Sequence, residues 1–243
     1  MSAQPAAVVT GASAGIGEAI ARHLLDAGRT VVTMQRTPPS IEHANVRFEP
    51  VDLSDMTATR EAAGRVANAY DVRYLVNNAG ANCPALLGDA TIDELQYVTN
   101  ITLGAAMLLI QAFVPAMREA RFGRIVNISS RAALGKMGRT VYSTAKAGLI
   151  GMTRTVAIET GPDGITVNAV VPGPVETRHW ARGHPPGSVQ RQTVVDMVLV
   201  KRLGTPEDIA RAVAFLLDDD AGFITGQALF VCGGTSVTGT GGQ

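Results

Sequence analysis

The chain has 243 residues, 46% of them apolar and 17% charged, with 21 basic and 21 acidic side chains. That length suffices for one large domain or two small ones around a substantial core. The neutral balance gives no general electrostatic case for nucleic acid or an anionic membrane.

The opening residues are polar or small and a strand-like run follows at once, so no secretory leader is expected. The longest apolar region, Leu103 to Met117, is too short to span a bilayer and is interrupted by Gln111. Cys83 and Cys232 stand far apart without metal-ligand spacing. Free thiols in a reducing cytoplasm, and no metal, are the expectation.

Ala6 to Thr10 is a short apolar strand leading into Thr10-Gly11-Ala12-Ser13-Ala14-Gly15-Ile16-Gly17. A helical pattern follows through Ile16, Ala19, Ile20, His23 and Leu24 to a stop at Gly28. Strand, glycine turn and helix together aim backbone N–H groups and a helix N-terminus at a phosphate. By itself the same turn serves equally well as a tight connection without a ligand. Thr30 to Met34 is a second strand, running into Gln35-Arg36-Thr37-Pro38-Pro39. A carboxylate at that point would grip the ribose hydroxyls of NAD. This chain offers Arg36, whose charge and planar donors suit a 2′-phosphate, so NADP(H) is expected in preference to NAD(H). The proline-rich Thr37 to Asn45 leaves a clipped crossover before the third strand, Val46 to Val51. Asp52-Leu53 follows, where Asp52 either accepts from an adenine amine or caps a helix beginning near Thr57.

The fourth strand, Val72 to Val76, ends in Asn77-Asn78-Ala79-Gly80. Small residues and amides there let backbone approach a ligand and tie neighbouring strands together. A long helix from Asp93 through Asn100 to Ala120 is apolar nearly all round. Asn100 is poorly placed in it by propensity. It either satisfies itself in the core or bends the helix and holds a water. The fifth strand, Gly123 to Ile128, delivers Ser129 and Ser130 at the end where open parallel sheets place ligands.

Thr140 to Thr160 is a helix with Tyr142 and, one turn on, Lys146 on the same face. A free tyrosine, with a pKa near 10, exchanges protons poorly at neutral pH. An ammonium one turn away is expected to stabilise the phenolate and draw that pKa toward the range of a general acid/base. Gly164 to Val171 is the sixth strand, ending in Pro172-Gly173-Pro174-Val175-Glu176-Thr177. Arg178 to Val200, with His179, Trp180, His184 and Pro185-Pro186-Gly187, has weak periodicity and reads as a mobile flap, not a framework element. A helix opened by proline spans Pro206 to Leu217, and Ala228 to Cys232 is the last strand. This alternation predicts an α/β chain, a doubly wound Rossmann-type parallel sheet with helices on both faces. No repeat, linker or composition break divides it, so residues 1–243 read as a single domain with a substrate flap at about 176–200.

Taken in order, Thr10-Gly11-x3-Gly15-Ile16-Gly17, Asp52-Leu53, Asn77-Asn78-Ala79-Gly80, Asn100, Asn127-Ile128-Ser129-Ser130, Tyr142-x3-Lys146 and Pro172-Gly173 resemble the short-chain dehydrogenase/reductase family. The match runs from about Ala6 to Val231 and looks most like its 3-oxoacyl-acyl-carrier-protein reductase branch. The resemblance implies that Tyr142 donates or accepts the proton and that Lys146 lowers its pKa and holds the nicotinamide ribose. Ser130 would orient the substrate oxygen, and Asn100 would anchor a water relaying protons to Lys146. It also implies cofactor contacts at Gly11, Ser13, Gly15, Ile16, Gly17, Arg36, Asp52, Leu53, Asn78, Ala79, Gly80, Tyr142, Lys146, Pro172, Gly173, Val175 and Thr177. Spacing within the family favours Ser129, 13 residues before Tyr142, whereas the motif's second serine is Ser130, the one taken here.

Two positions depart from the pattern. Ala14 stands where many NADP-using members carry a basic residue, which leaves the 2′-phosphate to Arg36. Asp163 stands where carrier-protein reductases tend to be basic, and an acidic side chain there repels a phosphopantetheine carrier. The expectation is therefore an NADP(H)-dependent ketone or secondary-alcohol oxidoreductase, cytoplasmic and homotetrameric. The carrier-protein reductase and a non-catalytic dinucleotide-binding protein are the alternatives.

Overall fold

The structure, a computed structural model, describes residues 5–238. Seven strands form one parallel sheet: β1 (Ala6–Thr10), β2 (Thr30–Gln35), β3 (Val46–Pro50), β4 (Val72–Asn77), β5 (Gly123–Ile128), β6 (Ile165–Pro172) and β7 (Ala228–Val231). Their order is β3-β2-β1-β4-β5-β6-β7, so the chain reverses its winding between β1 and β4. The crevice outside the carboxyl ends of those two strands is where such sheets bind ligands. The central strands are buried on both faces, which explains their near-continuous apolar runs.

Helices cover both faces. α1 (Gly15–Asp26) and α8 (Pro206–Leu216) pack on one side, where Ile20, Leu24, Ile209 and Val213 meet Ala7, Val9 and Val126. α2 (Met56–Ala69) and α4 (Ala105–Glu119) cover the other, with Val66, Leu109 and Phe113 against Val8, Leu75 and Ile125. α5 (Thr140–Thr160) lies on this second side as well, through Ala157.

Three local features differ from the sequence reading. α2 is capped by Asp55, whose Oδ1 accepts from the Thr57 and Ala58 N–H groups at 2.9 and 3.0 Å. Asp52 is not the cap, because its own carboxylate is drawn back onto Ser54. The long helix is not uniform: α3 (Ile92–Thr99) passes through a π-helical turn, Asn100–Gly104, into α4. Between 176 and 200 the chain forms two short helices, α6 (Arg178–Gly183) and α7 (Val189–Met197). Thr177 caps the first through the Trp180 N–H, and Ser188 caps the second through the Arg191 N–H. No residue of α7 is fully buried, so helical periodicity had little to write into its sequence.

Candidate active site

The turn after β1 is built for close approach. Gly11 and Gly15 hold φ of +67° and +63°, a region that side-chain-bearing residues avoid. A Cβ on Gly17 would overlap the Gly11 carbonyl oxygen and the Asn78 amide nitrogen. α1 starts at Ala14 with no side-chain cap, so its first-turn N–H groups and its positive dipole end are left for a ligand. Thr10 Oγ1 accepts from the N–H groups of Asn78 and Ala79, both at 2.9 Å. Asn78 Nδ2 donates to the carbonyls of Thr10 and Gly11 at 2.9 and 3.1 Å. The end of β4 is thereby fastened to the glycine turn.

An open groove of about 290 Å³ runs beside this turn, lined by Gly11, Ser13, Arg36, Asp52 and Leu53, with Asn78, Ala79, Gly80 and Ile101 completing it. Asp52 Oδ1 accepts from the Ser54 N–H (2.9 Å) and hydroxyl (2.7 Å), which hold its carboxyl below the usual range. The exposed Arg36 guanidinium comes within 3.8 Å of the same carboxylate and adds a smaller effect in the same direction.

Sequence reasoning missed Gln35, which also lines the groove. Only 6% exposed, it accepts from the Ala12 N–H at 2.8 Å through Oε1. Its Nε2 is buried without a partner among the described residues. A free buried donor of this kind fits an acceptor oxygen on a ligand. The one available signal was a polar amide closing an apolar strand.

At the other end of the site, the Ser130 hydroxyl accepts from the Ala132 N–H at 3.2 Å and acts to lower the Tyr142 pKa, whereas Ser129 is buried and donates to the Lys146 carbonyl at 2.8 Å. Ser129 is thus committed to the α5 backbone, and Ser130 is the serine whose side chain influences the phenol. Lys146 is 3% exposed, and its Nζ donates to the Ile128 carbonyl at 2.7 Å. Burial brings its pKa down to about 8. Nζ lies 5.7 Å from the centre of the Tyr142 ring.

The expected lowering of the Tyr142 pKa by Lys146 is not found. Burial raises it, outweighing the opposing effects of the Ser130 hydroxyl and the Arg139 charge. A buried lysine with a weakened hold on its proton is a poor source of that stabilisation.

Gly80 joins the two ends. A Cβ there would sit 3.2 Å from Lys146 Nζ and 3.6 Å from Thr102 Oγ1, a buried hydroxyl on the π-turn with no partner among the described residues. Asn100, at the start of that turn, accepts from Gln96 Nε2 at 2.9 Å and donates to the Ser54 carbonyl at 3.3 Å.

The remaining expected contacts lie outside the groove. Ile16 packs on the core. Pro172 closes β6, Gly173 donates its N–H to the Val231 carbonyl at 3.0 Å, and the Val175 side chain is buried. Thr177 returns to the site, because a Cβ on Gly15 would meet its methyl carbon at 3.3 Å.

The chain is similar to known proteins over nearly its whole length. A family model described as enoyl-(acyl carrier protein) reductase matches residues 11–236. A subunit of (2S)-[(R)-hydroxy(phenyl)methyl]succinyl-CoA dehydrogenase from Thauera aromatica is 37% identical, over 95% of this chain and 96% of its own. Acetoacetyl-CoA reductase from Shinella zoogloeoides is 38% identical, over 94% and 97%. A crystal structure of a 3-oxoacyl (acyl-carrier-protein) reductase from Agrobacterium tumefaciens C58 with NADP bound superposes with a TM-score of 0.89 at 28% identity, covering 95% and 94%.

Proposed function

The chain belongs to the short-chain dehydrogenase/reductase family, an oxidoreductase of carbonyl and alcohol groups, and on that premise we propose that it is NADP(H)-dependent with Tyr142 as general acid/base. One juxtaposition carries this reading: the Ser130 hydroxyl acting on the Tyr142 phenol, with Lys146 one turn behind and its Nζ against Gly80, the rim of the groove. A bound nicotinamide dinucleotide supplies or takes up the hydride at the carbonyl carbon.

In this reading Tyr142 gives its phenolic proton to the ketone oxygen during reduction and takes it back during oxidation. Ser130 donates to the same substrate oxygen and sets its position. Lys146 binds the nicotinamide ribose, and Asn100 holds a water that returns protons toward Lys146. The bare start of α1 with Gly11, Ser13, Gly15, Ile16 and Gly17 receives the pyrophosphate. Asp52 and Leu53 would hold the adenine, and Asn78, Ala79, Gly80, Pro172, Gly173, Val175 and Thr177 would contact the remainder of the cofactor.

Arg36 favours NADP over NAD, and the free Gln35 Nε2 beside it adds a neutral donor where an acidic side chain would repel a 2′-phosphate. We also propose a homotetramer in the cytoplasm. Exposed apolar side chains such as Ile158 and Phe223 and two unpaired cysteines support that assignment.

The carrier-protein reductase reading has less support. Asp163 pairs with Arg118 at 2.9 Å and reaches Arg121 at 3.8 Å, which neutralises a basic corner where an acidic carrier would dock. The test is a panel of ketones and 3-oxoacyl thioesters run with NADPH and NADH in parallel. Tyr142→Phe should lose roughly 100-fold or more in kcat while binding NADPH as the parent does. Equal turnover by that variant would remove the acid/base assignment. A parent that binds NADPH but turns over nothing would favour the non-catalytic alternative.

A further inference from the structure

The segment between Ser130 and Tyr142 carries three cations, Arg131, Lys136 and Arg139. It leaves Ser130 as a 3-10 turn, Arg131–Leu134, and returns into α5. On the way it is pinned to the loop after β4: the Ala85 N–H donates to the Gly138 carbonyl at 3.2 Å, and Ala85 bridges Arg139. Arg139 Nη1 donates to Asn82 Oδ1 at 3.3 Å.

Among the described residues none of the three enters an ion pair, whereas Arg118 and Arg121 share Asp163, Arg191 meets Glu176, and Arg202 meets Asp208. Lys136 is exposed; partial desolvation by its neighbours lowers its pKa, and the positive charges of Arg139 and Arg131 add to that lowering. The Arg139 charge reaches the Tyr142 phenol as well. Three like charges held together beside a reaction centre repel one another. Among the described residues no acidic side chain supplies their counter-charge, and an anionic ligand can supply it.

We propose that Arg131, Lys136 and Arg139 form an anion subsite at the substrate mouth, binding a carboxylate or phosphate carried by the substrate away from its reacting carbonyl. The inference rests on the oxidoreductase reading and narrows it to anionic ketones or alcohols. An anion there would meet two planar guanidinium groups and one ammonium, a donor set suited to oxyanions.

Three substrates separate the possibilities: ethyl acetoacetate (neutral), the monoethyl ester of 3-oxoadipate (carboxylate) and acetoacetyl-CoA (phosphates). Among the described residues Lys136 makes no side-chain hydrogen bond, so Lys136→Gln disturbs least; the Arg131→Gln/Lys136→Gln pair is the stronger variant. The expected result is a fall of about tenfold in the ratio of anionic to neutral kcat/KM, expressed mainly in KM. The substrate whose ratio falls identifies the source of the anion.

Unchanged ratios for both anionic substrates would overturn the subsite while leaving the oxidoreductase reading intact. If the parent turns over none of the three with either nicotinamide, the oxidoreductase reading fails instead. The subsite is then judged by calorimetric binding of CoA and of adipate. Weaker binding of either by the paired variant supports it, and equal binding of both overturns it.

Discussion

Lys146 keeps its amino group where solvent hardly reaches, and burial alone brings its pKa down to about 8. The sign of the consequence follows from linkage. The unfolded lysine holds its proton more tightly, so below about pH 8 the folded protein carries the full cost of burying the charge, and that cost fades as pH rises toward 10.5. A shift of this size corresponds to about 3 kcal/mol. The hydrogen bond to the Ile128 carbonyl offsets part of it. Lys146→Met should therefore raise the unfolding free energy at pH 7 by about 1–2 kcal/mol and abolish turnover, with the stability gain shrinking as pH rises from about 8 toward 10.5. Denaturant titrations at pH 7 and pH 10 check this, and a variant less stable at pH 7 would show that the buried amine is better accommodated than its surroundings suggest.

The Tyr142–Lys146 pair was legible because a fixed helical spacing reports which side chains share a face. Gln35 and Thr102 were not, since an orphaned donor or hydroxyl becomes visible only when every neighbour has been placed. Ser129 and Ser130 stayed ambiguous for the same reason, until the Lys146 carbonyl was seen to occupy Ser129.

Among the elements, the glycine turn and α1 were read correctly because each demand on them is local: a positive φ, a close approach, an uncapped helix start. The demands can also be separated experimentally. Gly17 has no positive φ but lies against the Gly11 carbonyl and Asn78, whereas Gly28 has φ of +80° with open space around its missing side chain. Gly17→Ala must push the turn apart, so it should weaken NADPH binding more than tenfold, together with a stability loss of about 1–3 kcal/mol. Gly28→Ala should lose about 1–2 kcal/mol through backbone conformation alone and bind NADPH as the parent does. Dinucleotide titration paired with denaturant unfolding distinguishes the two, and parental affinity in Gly17→Ala would mean that the turn is not the phosphate cradle. The π-turn and α6–α7 were harder to read. A π-turn has no composition of its own, and α7 buries no residue fully, so neither writes a clear period into the sequence.

For the whole molecule, alternating strands and helices were enough to fix a parallel doubly wound sheet, because short right-handed crossovers leave few other arrangements. The surface was harder. In the apolar stretch Leu103 to Met117, Leu109, Ile110, Phe113, Val114 and Met117 are buried on this chain's own sheet. The helical run Ile92–Glu119 is long and apolar enough to cross a membrane by composition, but half of its most apolar window is buried inside the molecule. Exposed large apolar side chains include Met107 on α4, Ile158 on α5 at 78% exposure, Phe215 on α8 and Phe223 beyond it at 102%. Water contact at side chains of this size is unfavourable by roughly 1.5–3 kcal/mol each relative to full burial, which favours association through these faces. Light scattering at micromolar concentration should give about four times the chain mass of 25.3 kDa. Ile158→Asp, which places a charge on an exposed helix face and disturbs no buried neighbour, should lower that mass without unfolding the chain. A parent that scatters as a monomer would show that these side chains remain in water and that the assembly assignment is wrong.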